Sequence, residues 1–133
     1  MVSKLFSKMW KCSSQPRKQR KYLHNAPLHI KHRLMSAPLS KDLKKEYNTR
    51  SVKVRKGDTV SIKTGQFKSK SGKVVKVSLA RGVIFVEGAH IPRADGTNSN
   101  YPIHPSNVEI IKLDLDDKLR VEKLNKIKEA NKK

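Results

Sequence analysis

Residues 50–77 read RSVKVRKGDTVSIKTGQFKSKSGKVVKV, and this stretch decides the fold of the central part of the chain. Apolar and polar residues alternate at Val60 and Ile62 and again at Val75 and Val77. An alternation of period two is typical of half-buried β-strands. Because a lysine-rich loop separates the two segments, the stretch predicts a β-hairpin that presents a cationic loop.

The loop of this hairpin is bounded by Gly65 and Gly72 and follows a tight turn at Gly57, where the absence of a Cβ lets the backbone change direction. Its candidate phosphate contacts are Lys68, Lys70 and Lys73. Phe67 has two open interpretations, as a plug beneath the loop or as a platform on which an unpaired RNA base stacks. The pattern K-G-D-x-V-x-I-x-x-G…G-K-V-x-x-V resembles the KOW motif of ribosomal proteins and transcription elongation factors.

The same alternation extends the β prediction on both sides of the hairpin. Asp95-Gly96 marks a hairpin turn, and a bulge or bend near Ile110 would reconcile the opposite parities of Val108 and Leu113. Short strands of this number predict a small closed barrel. The predicted strands are 51–54, 58–63, 73–78, 82–87 and 107–113, with a short one near 101–103.

The segments on either side of the barrel have different residue patterns, and these patterns predict a division of the chain into four parts. Residues 1–26 are expected to form a basic unstructured arm, residues 27–49 short helices, residues 50–113 the barrel, and residues 114–133 a partial C-terminal helix. In the second part, Pro27 opens a helix that runs to Met35, and Ser40 caps a second helix that Asn48 ends. In the last part, Asp114 is the predicted cap, and the predicted apolar stripe is Leu115, Leu119, Leu124 and Ile127.

The charge of the chain points to a polyanionic partner. Its 133 residues carry 31 Lys and Arg against 11 Asp and Glu, a net charge of +20. Ten of the basic residues precede the first acidic one, Asp42. Such an excess is neutralised when the chain binds nucleic acid and releases counterions.

The first ten residues allow two interpretations. Val2, Leu5, Phe6, Met9 and Trp10 have helical spacing and lysines between them, as in a mitochondrial transit peptide. The alternative is a basic arm whose apolar residues dock on RNA or on a neighbouring protein.

Several other classes of function are disfavoured. Cys12 is alone, which is usual in a reducing compartment, and no apolar run reaches the roughly 18 residues of a membrane span. Of the five histidines, His29 and His32 could share a helix face, but Lys31 and Arg33 beside them repel a cation, so we expect no metal. Asp114, Asp116 and Asp117 suit a helix start better than a magnesium site. We expect no cofactor, no small-molecule substrate and no catalytic activity.

A series of sequence segments outside the hairpin, taken in their order along the chain, is similar to universal large-subunit ribosomal protein twenty-four in its archaeal and eukaryotic form (twenty-six in older eukaryotic naming). The resemblance covers about residues 17–120 and is carried by 25–30 (NAPLHI), 36–43 (SAPLSKDL), 94–97 (ADGT) and 104–108 (HPSNV), with 112–116 (KLDLD) at its end. One departure is Ser69, since the family usually has glycine there. The upstream segments count against an organellar protein of bacterial type, and so against a transit peptide.

The resemblance implies a mainly β fold, an SH3-like barrel with a basic arm and helices, that binds large-subunit rRNA beside neighbouring ribosomal proteins in the cytoplasm. It further implies a role in subunit assembly, nucleolar in a eukaryote, and a position near the polypeptide exit tunnel. A transcription elongation factor or an RNA-processing factor remains the alternative. The candidate RNA-binding residues are Arg17, Lys18, Arg20, Lys21, Lys31, Arg33, Arg50, Arg55, Lys56, Lys68, Lys70, Lys73, Arg81, Arg93 and His104.

Overall fold

The fold is a five-stranded antiparallel sheet flanked by helices, in a computed structural model that describes residues 13–130. The two interpretations of residues 1–10 therefore concern a segment outside the described residues. The helices are α1 (Pro16–Asn25), α2 (Leu28–Leu34), α3 (Lys41–Tyr47) and α4 (Lys118–Ala130). The strands are β1 (Ser36–Pro38), β2 (Ser51–Lys53), β3 (Thr59–Ile62), β4 (Ser71–Ser78), β5 (Val83–Pro92), β6 (Asn98–Ile103) and β7 (Val108–Lys112), and a 3₁₀ turn covers Pro105–Asn107.

The large sheet has the order β6-β5-β4-β3-β7, and β1 pairs with β2 in a second, two-stranded sheet. Leu39 joins the two sheets through a bridge to Ile110, and Ser40 donates its N–H to the Ile110 carbonyl at 2.9 Å. This arrangement confirms the predicted small KOW-type barrel, and each predicted strand is present. The hairpin turn at Asp95-Gly96 is confirmed between β5 and β6.

The predicted bulge in the last strand is also confirmed. Thr59 pairs with Lys112 and Val60 with Ile110, so Ile111 is the extra residue on β7. Ile110 is fully buried, Ile111 is 46% exposed, and Leu113 is buried again. The extra residue therefore resolves the parity conflict, because it lets residues of opposite parity point into one core.

The segment before the barrel combines a confirmed helix with an unpredicted strand. Ser40 caps α3 by accepting the Leu43 N–H, and Asn48 ends it in the left-handed region with φ of 50°. At β1, the sequence pattern predicts only the end of a helix. The strand forms because the edge of β2 supplies hydrogen-bonding partners that local propensity does not reveal.

The core of the barrel continues into both flanks. Its fully buried centre includes Val60, Ile62, Ile84 and Ile110. The same cluster is entered from the N-terminal side by Met35, Ala37 and Leu39, and from α4 by Leu124. The four-part division of the chain stays a prediction. Buried residues from the segments before and after the barrel pack into the same core as the barrel residues.

A buried ion pair fixes α4 to the barrel. Both carboxylate oxygens of Asp58 accept hydrogen bonds from the two Nη atoms of Arg120, at 2.6 and 2.8 Å. Asp58 is fully buried and also accepts the N–H groups of Arg55 and Asp114. Arg120 donates further to the carbonyls of Asp114 and Lys53. The two-pronged pairing and the backbone hydrogen bonds offset the cost of burying the two charges, although Nε of Arg120 is buried without a hydrogen-bond partner among the described residues.

The predicted features of the C-terminal helix were partly wrong. Asp117 rather than Asp114 caps α4, since its carboxylate accepts the Leu119 N–H at 2.9 Å. Leu115 and Leu119 are 44% and 63% exposed, so they do not form an apolar stripe with Leu124. The buried face of α4 is defined instead by Arg120 and Leu124, four residues apart.

Candidate nucleic-acid interface

Four candidate RNA contacts lie on α1, where the structure differs from the expected unstructured arm. Pro16 occupies the first turn, where its fixed φ suits a helix, and Lys, Arg and Gln are good helix formers. The prediction gave charge repulsion too much weight against this local propensity. No residue of α1 is buried, and no acidic residue lies in its first turn.

The four cations of α1 share one side of the helix. At 100° per residue, they span an arc of roughly 160°. All four side chains are exposed, and they are Arg17, Lys18, Arg20 and Lys21. The helix therefore presents a compact positive surface, to which phosphates can bind from one direction.

A first cavity brings together three candidates from distant parts of the chain. Lys31, Arg81 and His104 line a space of about 330 Å³ between α2 and the β4–β5 turn. Lys31 donates from Nζ to the Ala80 carbonyl at 3.3 Å, which holds its charge at the rim. His24 lines the same cavity. We call this space the α2 cavity.

A second, shallower depression adjoins the α2 cavity. The candidates Arg55 and Lys56 line it together with Lys76 and the exposed Val75, and its volume is about 740 Å³. Leu79 lines both this depression and the α2 cavity, so the two are continuous. We call it the β4 depression.

A third space lies between β2 and α4. It has a volume of about 510 Å³, and we call it the α4 groove. His32 and Arg55 line both the α4 groove and the β4 depression, so these two are also continuous. Its other basic lining residues are Lys53, Arg120, Lys123 and Lys126.

The three spaces together form one surface, which we call the cationic band. Within the described part of the chain, their linings contain Lys, Arg and His and no Asp or Glu. A chain that merely had a soluble surface would intersperse both signs. Such a continuous positive surface is the electrostatic footprint of a nucleic-acid-binding protein.

Two titratable groups beside the band show its electrostatic effect. Burial lowers the pKa of His32 below 6.5, and the positive charges of Lys53, Arg55 and Lys123 lower it further. The Arg55 guanidinium donates to Asp117 and holds the pKa of that carboxyl below its usual value. The Asp117 carboxylate, which lines neither space, therefore orients Arg55 at the junction of the α4 groove and the β4 depression.

The loop between β3 and β4 carries Lys68 and Lys70, whereas Lys73, which was predicted for the same loop, lies within β4. Lys68, Lys70 and Lys73 are exposed, and Lys70 lies 5.1 Å above the ring of Phe67. Phe67 itself is only 9% exposed and packs against Tyr101 at 5.1 Å between ring centroids. The plug interpretation of Phe67 is confirmed, and the base-stacking interpretation is wrong because the ring face is already covered.

The two glycines that bound the loop in the sequence act in different ways. Gly65 has φ of +98°, which a residue with a Cβ rarely adopts. Gly72 lies within β4 instead, and it permits a close approach: a Cβ there would lie 2.5 Å from the Glu87 carbonyl oxygen. Ser69 has φ of 71° and donates its N–H to the Ile62 carbonyl, so a serine holds a left-handed position here.

The remaining candidates are not part of the cationic band. Arg33 and Arg50 are exposed on α2 and just before β2. Arg93 lies beside the β5–β6 turn and donates to the Ser99 hydroxyl at 3.3 Å. Sequence reasoning also missed basic residues that the fold adds to the band. These are Lys53, Lys76, Lys123 and Lys126, and no local signal separates them from other surface lysines.

The described residues were also compared with the requirements of a metal site and of a membrane-spanning helix. Across residues 13–130, no three His, Cys, Asp or Glu side chains are grouped as a metal site would require. No helix in that range is long and apolar enough to cross a membrane.

Comparison with models of known protein families identifies the chain. Residues 13–127 match the family of eukaryotic ribosomal proteins L26 and archaeal ribosomal proteins L24. The chain belongs to this family. It is accordingly a ribosomal protein of the large subunit, and the family is generally non-enzymatic. The match starts four residues before the resemblance noted from the sequence and ends within α4.

Proposed function

We propose that this protein is a structural, rRNA-binding component of the large ribosomal subunit that acts without catalytic activity. The observation that carries the proposal is the cationic band, in which three continuous spaces have basic linings without an acidic side chain among the described residues. RNA phosphates along the band and over α1 would replace the counterions of a chain with net charge +20.

The mechanism is electrostatic, with the barrel as a rigid support. The Asp58–Arg120 pair and the shared core fix β2 and α4 relative to each other, and buried Met35 anchors the end of α2, so the cations of the band need no rearrangement to meet RNA. α1 supplies a second contact, and the exposed loop lysines a third. Ordered phosphates between these contacts would hold RNA segments close together, which is the action we propose in subunit assembly near the exit tunnel.

The first experiment tests membership of the assembled subunit. A native lysate is washed with high salt and sedimented through a sucrose gradient, and fractions are probed for this chain. We expect it to remain in the large-subunit peak. Release to the top, or comigration with RNA polymerase, would contradict the proposal and favour a KOW-type elongation factor.

The second experiment tests the α1 contact in the purified full chain. Replacing Arg17, Lys18, Arg20 and Lys21 by Ala should reduce the slope of log K against log salt by roughly 0.7–0.9 for each phosphate that the variant no longer neutralises. The matched control removes the same charge at four exposed lysines outside α1 and the band, Lys41, Lys45, Lys112 and Lys118. Equal slopes in the two variants would show that α1 acts only through net charge.

A further inference from the structure

The α4 groove combines an apolar floor with a cationic edge. Val52, Leu124 and Ile127 line it from β2 and α4. They are surrounded by three exposed lysines, which are Lys53, Lys123 and Lys126. A phosphate backbone alone would satisfy the lysines and leave the apolar floor against water. The groove therefore suits a ligand with both an anionic part and a flat apolar part.

Arg120 lies beside this floor and is almost completely buried. Among the described residues, the buried side-chain nitrogen or oxygen without a hydrogen-bond partner is Nε of Arg120. The Arg120 side chain is 5% exposed, and it lines the groove. Both Nη atoms are already occupied by Asp58 and by backbone carbonyls. Because Nε is closed off from solvent, a ligand in the groove does not reach it, and Arg120 contributes to the groove as part of its wall.

His32 provides a flat ring at the opposite boundary of the groove. It is half-buried, and its lowered pKa keeps the imidazole neutral at physiological pH. Neutral aromatic rings are surfaces on which unpaired RNA bases stack.

We propose that the α4 groove holds one unstacked nucleotide of the bound RNA. Its phosphates lie against Lys53, Lys123 and Lys126, and its base lies over Val52 and Ile127. This inference rests on the proposed function and narrows it, because the bound RNA must carry a bulged or single-stranded nucleotide here. The volume of about 510 Å³ is within the usual range of small-ligand sites.

An acidic amphipathic peptide is the competing occupant. The continuity of the groove favours RNA, since His32 and Arg55 belong to both the α4 groove and the β4 depression. A phosphate backbone that follows the band thus enters the groove without crossing an acidic side chain of the lining.

The test measures binding of the full chain to two RNA hairpins. One hairpin is fully paired, and the other is identical except for one bulged 2-aminopurine. The variant is Ile127→Ala, and the matched control is Leu119→Ala on the same helix, since Leu119 is 63% exposed and does not line the groove. Circular dichroism melting checks that both variants fold. We expect Ile127→Ala to weaken binding of the bulged hairpin by about three- to tenfold, with the paired hairpin and the salt slope unchanged.

Each other outcome has a defined meaning. If both variants weaken binding of the bulged hairpin equally, or if neither does, the nucleotide site is overturned. The proposed function stays intact in that case as long as the paired hairpin is bound. Displacement of the bulged RNA by a Glu- and Leu-containing peptide, with loss of peptide binding in Ile127→Ala, would overturn it in favour of a protein partner. Failure of the unaltered chain to bind either hairpin would instead contradict the proposed function itself.

Discussion

Replacing Arg120 by Ala tests how α4 is held to the barrel. The change removes both Nη donors from a fully buried carboxylate and leaves Asp58 with the N–H groups of Arg55 and Asp114. Breaking a buried ion pair typically costs about 3–5 kcal/mol, and the two remaining donors place this case near the lower end. We therefore expect the free energy of unfolding to fall by about 3 kcal/mol.

The assay is thermal and urea unfolding followed by circular dichroism. For a chain of this size, 1 kcal/mol corresponds to roughly 4 °C in Tm, so the expected decrease is about 12 °C. The control is Lys118→Ala, which removes an exposed cation from the same helix. Its Tm should change by no more than about 2 °C.

A double-mutant cycle separates the pair from its surroundings. Asp58→Ala should cost at least as much as Arg120→Ala, because it also leaves two backbone N–H groups without partners. The double variant should cost little more than either single one, which gives a coupling energy of about 2–3 kcal/mol. Additive single effects, or an Arg120→Ala variant as stable as the Lys118→Ala control, would refute the reasoning.

Three further predictions concern backbone strain and protonation. Ser69→Gly should raise the stability by about 0.5–1 kcal/mol, measured by urea unfolding, because φ of 71° suits glycine; a loss of stability would contradict this. Gly57→Ala should cost about 0.5–1.5 kcal/mol more than Gly65→Ala by the same assay, since both have positive φ but only the first Cβ would push the Asp114 carboxylate out of its rotamer. The pKa of His32 is lowered in the folded chain, so protonation of this residue favours the unfolded state, and the stability should fall as the pH drops below 6.5. His32→Gln should make this fall in stability smaller, as measured by thermal melts between about pH 7.5 and 5.

Local chemistry was sufficient to predict the barrel hairpin, the α3 cap and the β7 bulge. The alternation at Val60 and Ile62 reflects the burial of one face of a strand. Because successive residues of a strand point to opposite faces, this pattern is visible in neighbouring positions of the sequence. Ser40 caps α3 because its hydroxyl meets an N–H three residues away. The sign of the net charge likewise follows from composition, and with it the class of partner.

Contacts between distant segments decided the features that the sequence did not reveal. β1 exists because β2 pairs with it, and Arg120 is buried because Asp58 lies 62 residues earlier in a turn that α4 covers. A leucine such as Leu119, which local spacing assigns to an apolar stripe, is left exposed by the same docking.

The candidate interface divides in the same way. The sequence determined that many cations are available, because charge is a property of each residue. Only the tertiary structure decided which of them share a surface, since that surface draws on four different elements through His32, Lys53, Lys76 and Lys123. Packing of α2 and α4 against the barrel places these side chains along one band, and that proximity depends on core contacts rather than on spacing in the chain.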